Sequence, residues 1–231
     1  MRFSRYRWAG GDEAMLRYGP DAGPSVVLAM PLFEEANRTR AFAVRLLRLM
    51  AARGIGGALP DLPGQGESLV ATEAARLEDW RAAFAAAVAS LSGPVHVVAI
   101  RGGALVDTLA AATSRWHFSP AAGDALVREL LRTRAVAGGA PELDLLDPDD
   151  EVSPVELAGN RLSRPLLRAL HVAERIPYGP VRTVRLESDP AAADLKLAGA
   201  PLWRRTEPGD DPALAEALAD DLAAWIAACG A

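Results

Sequence analysis

The stretch Val95-His96-Val97-Val98-Ala99-Ile100-Arg101-Gly102-Gly103-Ala104-Leu105 limits the fold more than any other part of the chain. Its first six residues are apolar and β-branched almost without interruption, the pattern of a strand covered on both faces, as strands of parallel sheets are. The run stops at Arg101 and a Gly pair, and an Ala/Leu-rich stretch from Gly102 to Ala112 reads as the helix that follows. A buried strand that passes through a glycine-closed turn into a helix belongs to a sheet with helices on its faces. Similar short runs recur at Ser25–Met30, Ile55–Leu59, Trp116–Phe118 and Val181–Leu186. Between them lie helical patterns. The segment Thr39–Ala52 carries Phe42, Leu46, Leu49 and Met50 at core spacing, with Asn37 or Thr39 available as a cap, and Leu77–Leu91 carries Trp80, Phe84, Val88 and Leu91.

Three further regions complete the order. The N-terminal segments Arg2–Trp8 and Ala14–Tyr18 alternate polar and apolar residues around Ala9-Gly10-Gly11-Asp12, which predicts an antiparallel edge hairpin. The stretch 121–180 is too long for a simple crossover: it holds two helical patterns, Ala122–Val136 and Arg164–Glu174, and an acidic loop, Glu142–Glu151, so it is expected to form a lid inserted in the domain. A last strand is expected near Pro201–Arg205, followed by a helix over Pro212–Ala227. The 231 residues, half of them hydrophobic, suffice for one domain with a full core. The fold class expected is therefore α/β: one domain over 1–231, with a mostly parallel sheet, helices on both faces, the N-terminal hairpin and the helical lid insert.

Charge and composition remove several function classes. The formal net charge is −5 and arginines are interspersed with nearly as many acids, which argues against a nucleic-acid surface. No apolar run reaches the roughly 18 residues of a membrane span, and the start Met1-Arg2-Phe3-Ser4-Arg5-Tyr6-Arg7-Trp8 is too polar for a signal peptide, so a cytoplasmic location is expected. The single cysteine, Cys229, excludes an intrachain disulfide and a cysteine-based metal site; it reads as an ordinary thiol of the C-terminal tail. No metal site or cofactor is expected.

The turn at Arg101 has the outline of a nucleophile elbow, the G-x-S-x-G turn that lifts a serine between strand and helix. In Ala99-Ile100-Arg101-Gly102-Gly103 the flanking small positions are filled by Ala99 and Gly103, and the centre is arginine. The Asp61-Leu62-Pro63-Gly64-Gln65-Gly66-Glu67-Ser68 loop and the Met30–Asn37 loop stand in the order found in α/β-hydrolases, which the chain resembles. More narrowly, Pro31-Leu32-Phe33-Glu34-Glu35-Ala36-Asn37-Arg38-Thr39-Arg40, Trp80-Arg81 and Ile100-Arg101-Gly102-Gly103-Ala104-Leu105 resemble the exosortase A system-associated hydrolase 2 family. That resemblance runs from about Ser25 to the C-terminus and is weakest in the lid. It implies an exopolysaccharide or protein-sorting setting in a bacterium and does not supply a substrate.

The chemistry open to these residues is unusual for such a fold. A serine hydrolase needs an activated hydroxyl and a His base. Arg101 stays protonated and cannot attack a carbonyl. The stretch Trp203–Gly209, where the base would follow the last strand, has no His. Of the three histidines, His96 and His117 sit inside strands and read as packed groups, His171 reads as a lid-helix surface residue, and only His117 stands near the strand ends where a cleft would open. Arg101 offers a guanidinium at a turn whose backbone N–H groups also favour an anion. Its partner is either an internal carboxylate, Glu34 or Glu35 on the facing loop, or a ligand. The candidate ligand contacts are Arg101, Gly102, Phe33, Asn37, His117 and Trp203, and the candidate catalytic groups are Glu34 and Glu35, one of which serves as a general base if burial raises its pKa. The functions compatible with this set are a pseudo-hydrolase holding a small anionic or acyl ligand, a hydrolase or acyl transferase acting on esters or thioesters with a rearranged Glu/Arg site, and a non-catalytic scaffold.

Overall fold

A computed structural model describes residues 1–136, 153–176 and 178–230. The strands in chain order are β1 (Arg2–Trp8), β2 (Gly11–Tyr18), β3 (Ser25–Ala29), β4 (Gly56–Pro60), β5 (Val95–Ile100), β6 (Ser114–Phe118), β7 (Val155–Leu157), β8 (Asn160–Leu162), β9 (Val181–Leu186) and β10 (Leu195–Leu197). Eight of them form one sheet in the order β1-β2-β4-β3-β5-β6-β9-β10. The hairpin β1–β2 is antiparallel, with Tyr6 opposite Glu13, and β2 also runs antiparallel to β4. From β4 to β10 every pairing is parallel.

The side chains of β5 explain why helices must cover both faces. Val97 and Ala99 point into one apolar layer and Val98 and Ile100 into the other, and all four are almost fully buried. One layer is closed by α1 (Glu34–Ala52) and α5 (Pro212–Cys229), through Phe42, Leu46, Met50, Leu218 and Leu222. The other is closed by α2 (Leu77–Ala89), α3 (Gly123–Val136) and α4 (Arg164–His171), through Trp80, Phe84, Leu126 and Leu166. Two of these helices start where sequence dictates. Asp211 accepts from the Leu214 amide at 3.0 Å with Pro212 in the first turn, and Ser163 accepts from the Leu166 amide at 3.2 Å before Pro165.

The structure corrects four expectations. First, α1 begins at Glu34 rather than Thr39, so Asn37 lies within its opening turns and Thr39 is buried. The pair Glu34-Glu35 complements the helix dipole there, and the preceding residue is Phe33 at φ 59°, whose ring packs edge-on against Trp80 at 5.8 Å. Second, the stretch after Arg101 does not form a continuous helix. It makes two short 3₁₀ turns, Arg101–Leu105 and Asp107–Leu109, because Asp107 turns inward to bond His117. Third, the last strand is the short β10, and Leu202–Arg204 is a 3₁₀ turn led by Pro201. Fourth, the region between β6 and β9 contains, besides α3 and α4, the antiparallel hairpin β7–β8, whose tip residues Ala158 and Gly159 both have positive φ (49° and 74°), as a two-residue turn of the hairpin type requires. The acidic loop Glu142–Glu151 lies outside the described residues. No helix among them is long and apolar enough to cross a membrane.

Candidate functional site

The site is built where β5 ends. Ile100 is extended and Arg101 turns sharply with φ 54°, a conformation that costs a non-glycine residue of the order of 1 kcal/mol and is held only where surrounding structure enforces it. Enforcement comes from close packing: a Cβ on Gly103 would run into the carbonyl oxygens of Ala29 and Met30, so only glycine lets the turn lie against the end of β3. The carbonyl of Arg101 accepts from the Ala121 amide at 3.2 Å, which ties the turn to the start of the insert.

The arginine side chain is held on three sides. Its Nε lies 3.3 Å from both carboxylate oxygens of Glu35, its Nη2 lies 3.2 Å from Oε1, and its Nη1 donates to the carbonyl of Ser119 at 3.1 Å. The guanidinium also lies 4.7 Å from the centre of the Trp203 ring, within range of a cation–π contact. Burial raises the pKa of Glu35, against the opposing pull of the Arg101 charge. Glu34 is directed elsewhere: one turn of helix further on, Arg38 donates to it at 3.0 Å and also to the carbonyl of Trp203.

Above this pair lies a cavity of about 420 Å³ between α1, the turn at Arg101 and helix α3. Leu32, Phe33, Leu126, Leu130 and Trp203 give it apolar walls, and it is rimmed by Arg38, Arg101, Arg132 and Arg204 against Glu34, Glu35 and Glu129. Four formal positive charges against three negative leave it slightly anion-receptive. Among the described residues no group of three or more His, Cys, Asp or Glu side chains is arranged to hold a metal ion.

Comparison with known proteins bears on the fold. No protein-family model matches the sequence, and no curated protein matches it at the level of sequence. Solved structures do match over nearly the whole chain. Est1E from Butyrivibrio proteoclasticus with bound ferulic acid is 17% identical, with a TM-score of 0.63 over 97% of this chain and 99% of that one. Mouse alpha/beta hydrolase domain-containing protein 10 is 15% identical, with a TM-score of 0.62 over 98% of both chains. The bottromycin epimerase BotH, in complex with bottromycin A2, is 15% identical, with a TM-score of 0.55 over 96% of this chain and all of the other. The chain has the α/β-hydrolase fold.

In the α/β-hydrolase fold the catalytic groups stand at the C-terminal ends of the central strands. Of the residues expected from sequence, Phe33, Glu34, Glu35, Arg101 and Trp203 line the cavity there. Gly102 is buried beneath it, and Asn37 and Phe33 line a neighbouring cavity. His117 takes another place altogether: it is fully buried, its Nε2 2.7 Å from Asp107 Oδ2 and its Nδ1 3.4 Å from an Arg175 nitrogen. None of the three histidines lines the cavity beside Arg101. His96 bonds the Ser114 hydroxyl at 2.8 Å, and burial lowers its pKa.

Of the buried network of Asp107, Arg115 and His117, the sequence pointed to His117 alone. Arg115 donates to the carbonyls of Asp107, Ala110 and Tyr178 and approaches the Asp107 carboxylate to 3.6 Å. An ionisable residue at every second position of a buried strand, Arg115 and His117, is the signal that marks such a network.

Proposed function

We propose that this α/β-hydrolase-fold protein is a cytoplasmic pseudo-hydrolase, in which Arg101 stands at the position of the nucleophilic serine and the cavity above it holds a small amphiphilic anion such as an acyl carboxylate. The observation that carries this reading is the Arg101–Glu35 pair: the elbow is occupied by a group that cannot attack a carbonyl, is tied to a carboxylate, and has no histidine beside it. Three of the five N–H donors of Arg101 are engaged, one pointing to Ser119 and two to Glu35, so two remain for a ligand. The apolar walls suit an alkyl chain, and the insert formed by α3, β7–β8 and α4 serves as its lid. The resemblance of the Pro31–Arg40 and Ile100–Leu105 segments to exosortase A system-associated proteins supports a role beside exopolysaccharide or protein-sorting machinery.

Calorimetric titration tests the reading. Decanoate is expected to bind, its methyl ester to bind about tenfold more weakly, and Arg101→Met to erase the difference. Equal binding of acid and ester by the wild type overturns it, as does release of decanoate from the ester.

A second reading keeps catalysis. The raised pKa of Glu35 suits a general acid or base in a rearranged site, and one fold neighbour, BotH, is an epimerase rather than an esterase. It predicts that Glu35→Gln abolishes a turnover that the purified protein carries out. A purely structural scaffold, the third possibility, predicts no decanoate binding at all.

A further inference from the structure

Phe33 separates the Arg101 cavity from a second one of about 290 Å³, bounded by the loops that follow β3 and β4 and by the tip of the β7–β8 hairpin. Arg101 does not line it. Its polar wall consists of Asn37, Arg40, Asp61, Gln65 and Asn160, and Phe33 and Trp80 supply an aromatic side.

Charge in this cavity is balanced internally, since Arg40 lies 3.8 Å from the Asp61 carboxylate, which leaves no net attraction for an anion or a cation. Hydrogen-bonding capacity is left over instead. The Nε2 of Gln65 is buried without a partner. The side-chain amide of Asn37, at an exposed position, makes no hydrogen bond to another described residue. Asn160 donates through Nδ2 to the Ala158 carbonyl at 2.9 Å, so its Oδ1 remains an acceptor. Asp61 accepts from the Glu67 amide through Oδ2, and its Oδ1 faces the Arg40 guanidinium. Buried polar groups are ordinarily paired, and the buried Gln65 donor left open beside the amides of Asn37 and Asn160 calls for a ligand that both accepts and donates. Planar amides and carboxylates present donor and acceptor sites side by side, which adjacent hydroxyl groups match. At about 290 Å³ the space lies at the small end of ligand pockets, the size suited to a compound with a single ring.

We propose that this second cavity is a binding site for a small neutral polyhydroxy compound, a polyol or a single sugar-like ring, held by Asn37, Gln65, Asp61 and Asn160 against Phe33. The site is separate from the acyl cavity and does not depend on what that cavity holds. Asn160 comes from the same hairpin tip that presents Ala158 to the Arg101 cavity, so one element of the insert covers both spaces.

Saturation-transfer NMR with sorbitol, inositol and glucose tests the proposal directly and avoids the general stabilisation that polyols produce in melting experiments. Gluconate serves as the charged control. At least one neutral probe is expected to receive saturation, and Gln65→Leu and Asn37→Ala, the latter at an exposed position where folding is not at risk, are expected to weaken binding about tenfold or more. Arg101→Met should leave that signal intact, and the two cavity variants should still bind decanoate as the wild type does, which separates failure here from failure of the acyl-cavity reading. Absence of transfer to all three neutral probes, transfer that survives both variants, or preference for gluconate overturns the proposal.

Discussion

Replacing Arg101 with Met removes the charge while keeping most of the side-chain stem, and the cost is legible from the contacts. Glu35 would lose the only guanidinium at hydrogen-bonding distance among the described residues while remaining largely inside the protein, with 12% of its side chain accessible. Breaking a fully buried pair costs about 3–5 kcal/mol, and charged hydrogen bonds about 1.5–3 kcal/mol each without adding up. Because the Arg101 side chain is 21% accessible and its contacts to Glu35 are 3.2–3.3 Å long, the lower part of that range applies, about 2–4 kcal/mol, including the contact with Trp203. In a chain of this length that is a fall in melting midpoint of about 5–10 °C.

The loss must depend on pH. A carboxyl group whose folded pKa is raised stabilises the folded state fully below its unfolded pKa, and that contribution is lost as pH rises through the folded value. Burial already raises the Glu35 pKa, and without Arg101 only the weaker pull of the Arg38 charge offsets burial. The variant should therefore be close to wild type near pH 4.5 and fall behind it as pH is raised to about 8. Paired with Glu35→Gln, which removes the charge left behind, the double variant should recover most of the loss. Melting curves of the four proteins at the two pH values decide the matter: equal losses at both, or losses that simply add, would show that the two side chains do not form an energetically coupled pair.

Two other substitutions probe the frame around the site. Gly103→Ala should cost about 2–4 kcal/mol in urea unfolding, because the new methyl meets the Ala29 and Met30 carbonyls and no flexible side chain is there to yield. Asp107→Ala should cost about 3–5 kcal/mol, since it strips the fully buried His117 of its carboxylate and removes the carboxylate nearest Arg115 among the described residues; a loss below about 1 kcal/mol in the same assay would show that the three side chains do not form an energetically coupled network.

The central strands were legible because a strand buried on both faces has to be apolar at every position, and Ser25–Ala29 and Val95–Ile100 are nearly so. The sequence offered two adjacent glutamates, or a ligand, as the partner of Arg101. Choosing between them needed the helix: residues i and i+1 diverge by about 100° around its axis, so Glu35 faces the turn while Glu34 meets Arg38 at i+4. The start of α1 was misplaced because no Ser, Thr, Asp or Asn caps it; Phe33 does so through its backbone and its packing on Trp80, a tertiary contact. The stretch after Arg101 has helical composition, yet Asp107 breaks it by reaching a residue ten positions away, and local propensity carries no trace of that bond. Strand β10 is three residues long with a lysine at its centre, too short for alternation to register.

The most direct test is the hydrolysis of p-nitrophenyl butyrate by the purified protein, by Arg101→Ser and by Glu35→Gln. With an arginine at the elbow and no histidine beside it, the wild type is expected to give no turnover above the buffer rate, and a serine at position 101 alone is expected to give none either, because no base stands ready to take its proton. Turnover by the wild type that persists through purification and disappears in Glu35→Gln would contradict the pseudo-hydrolase reading and make Glu35 a catalytic residue.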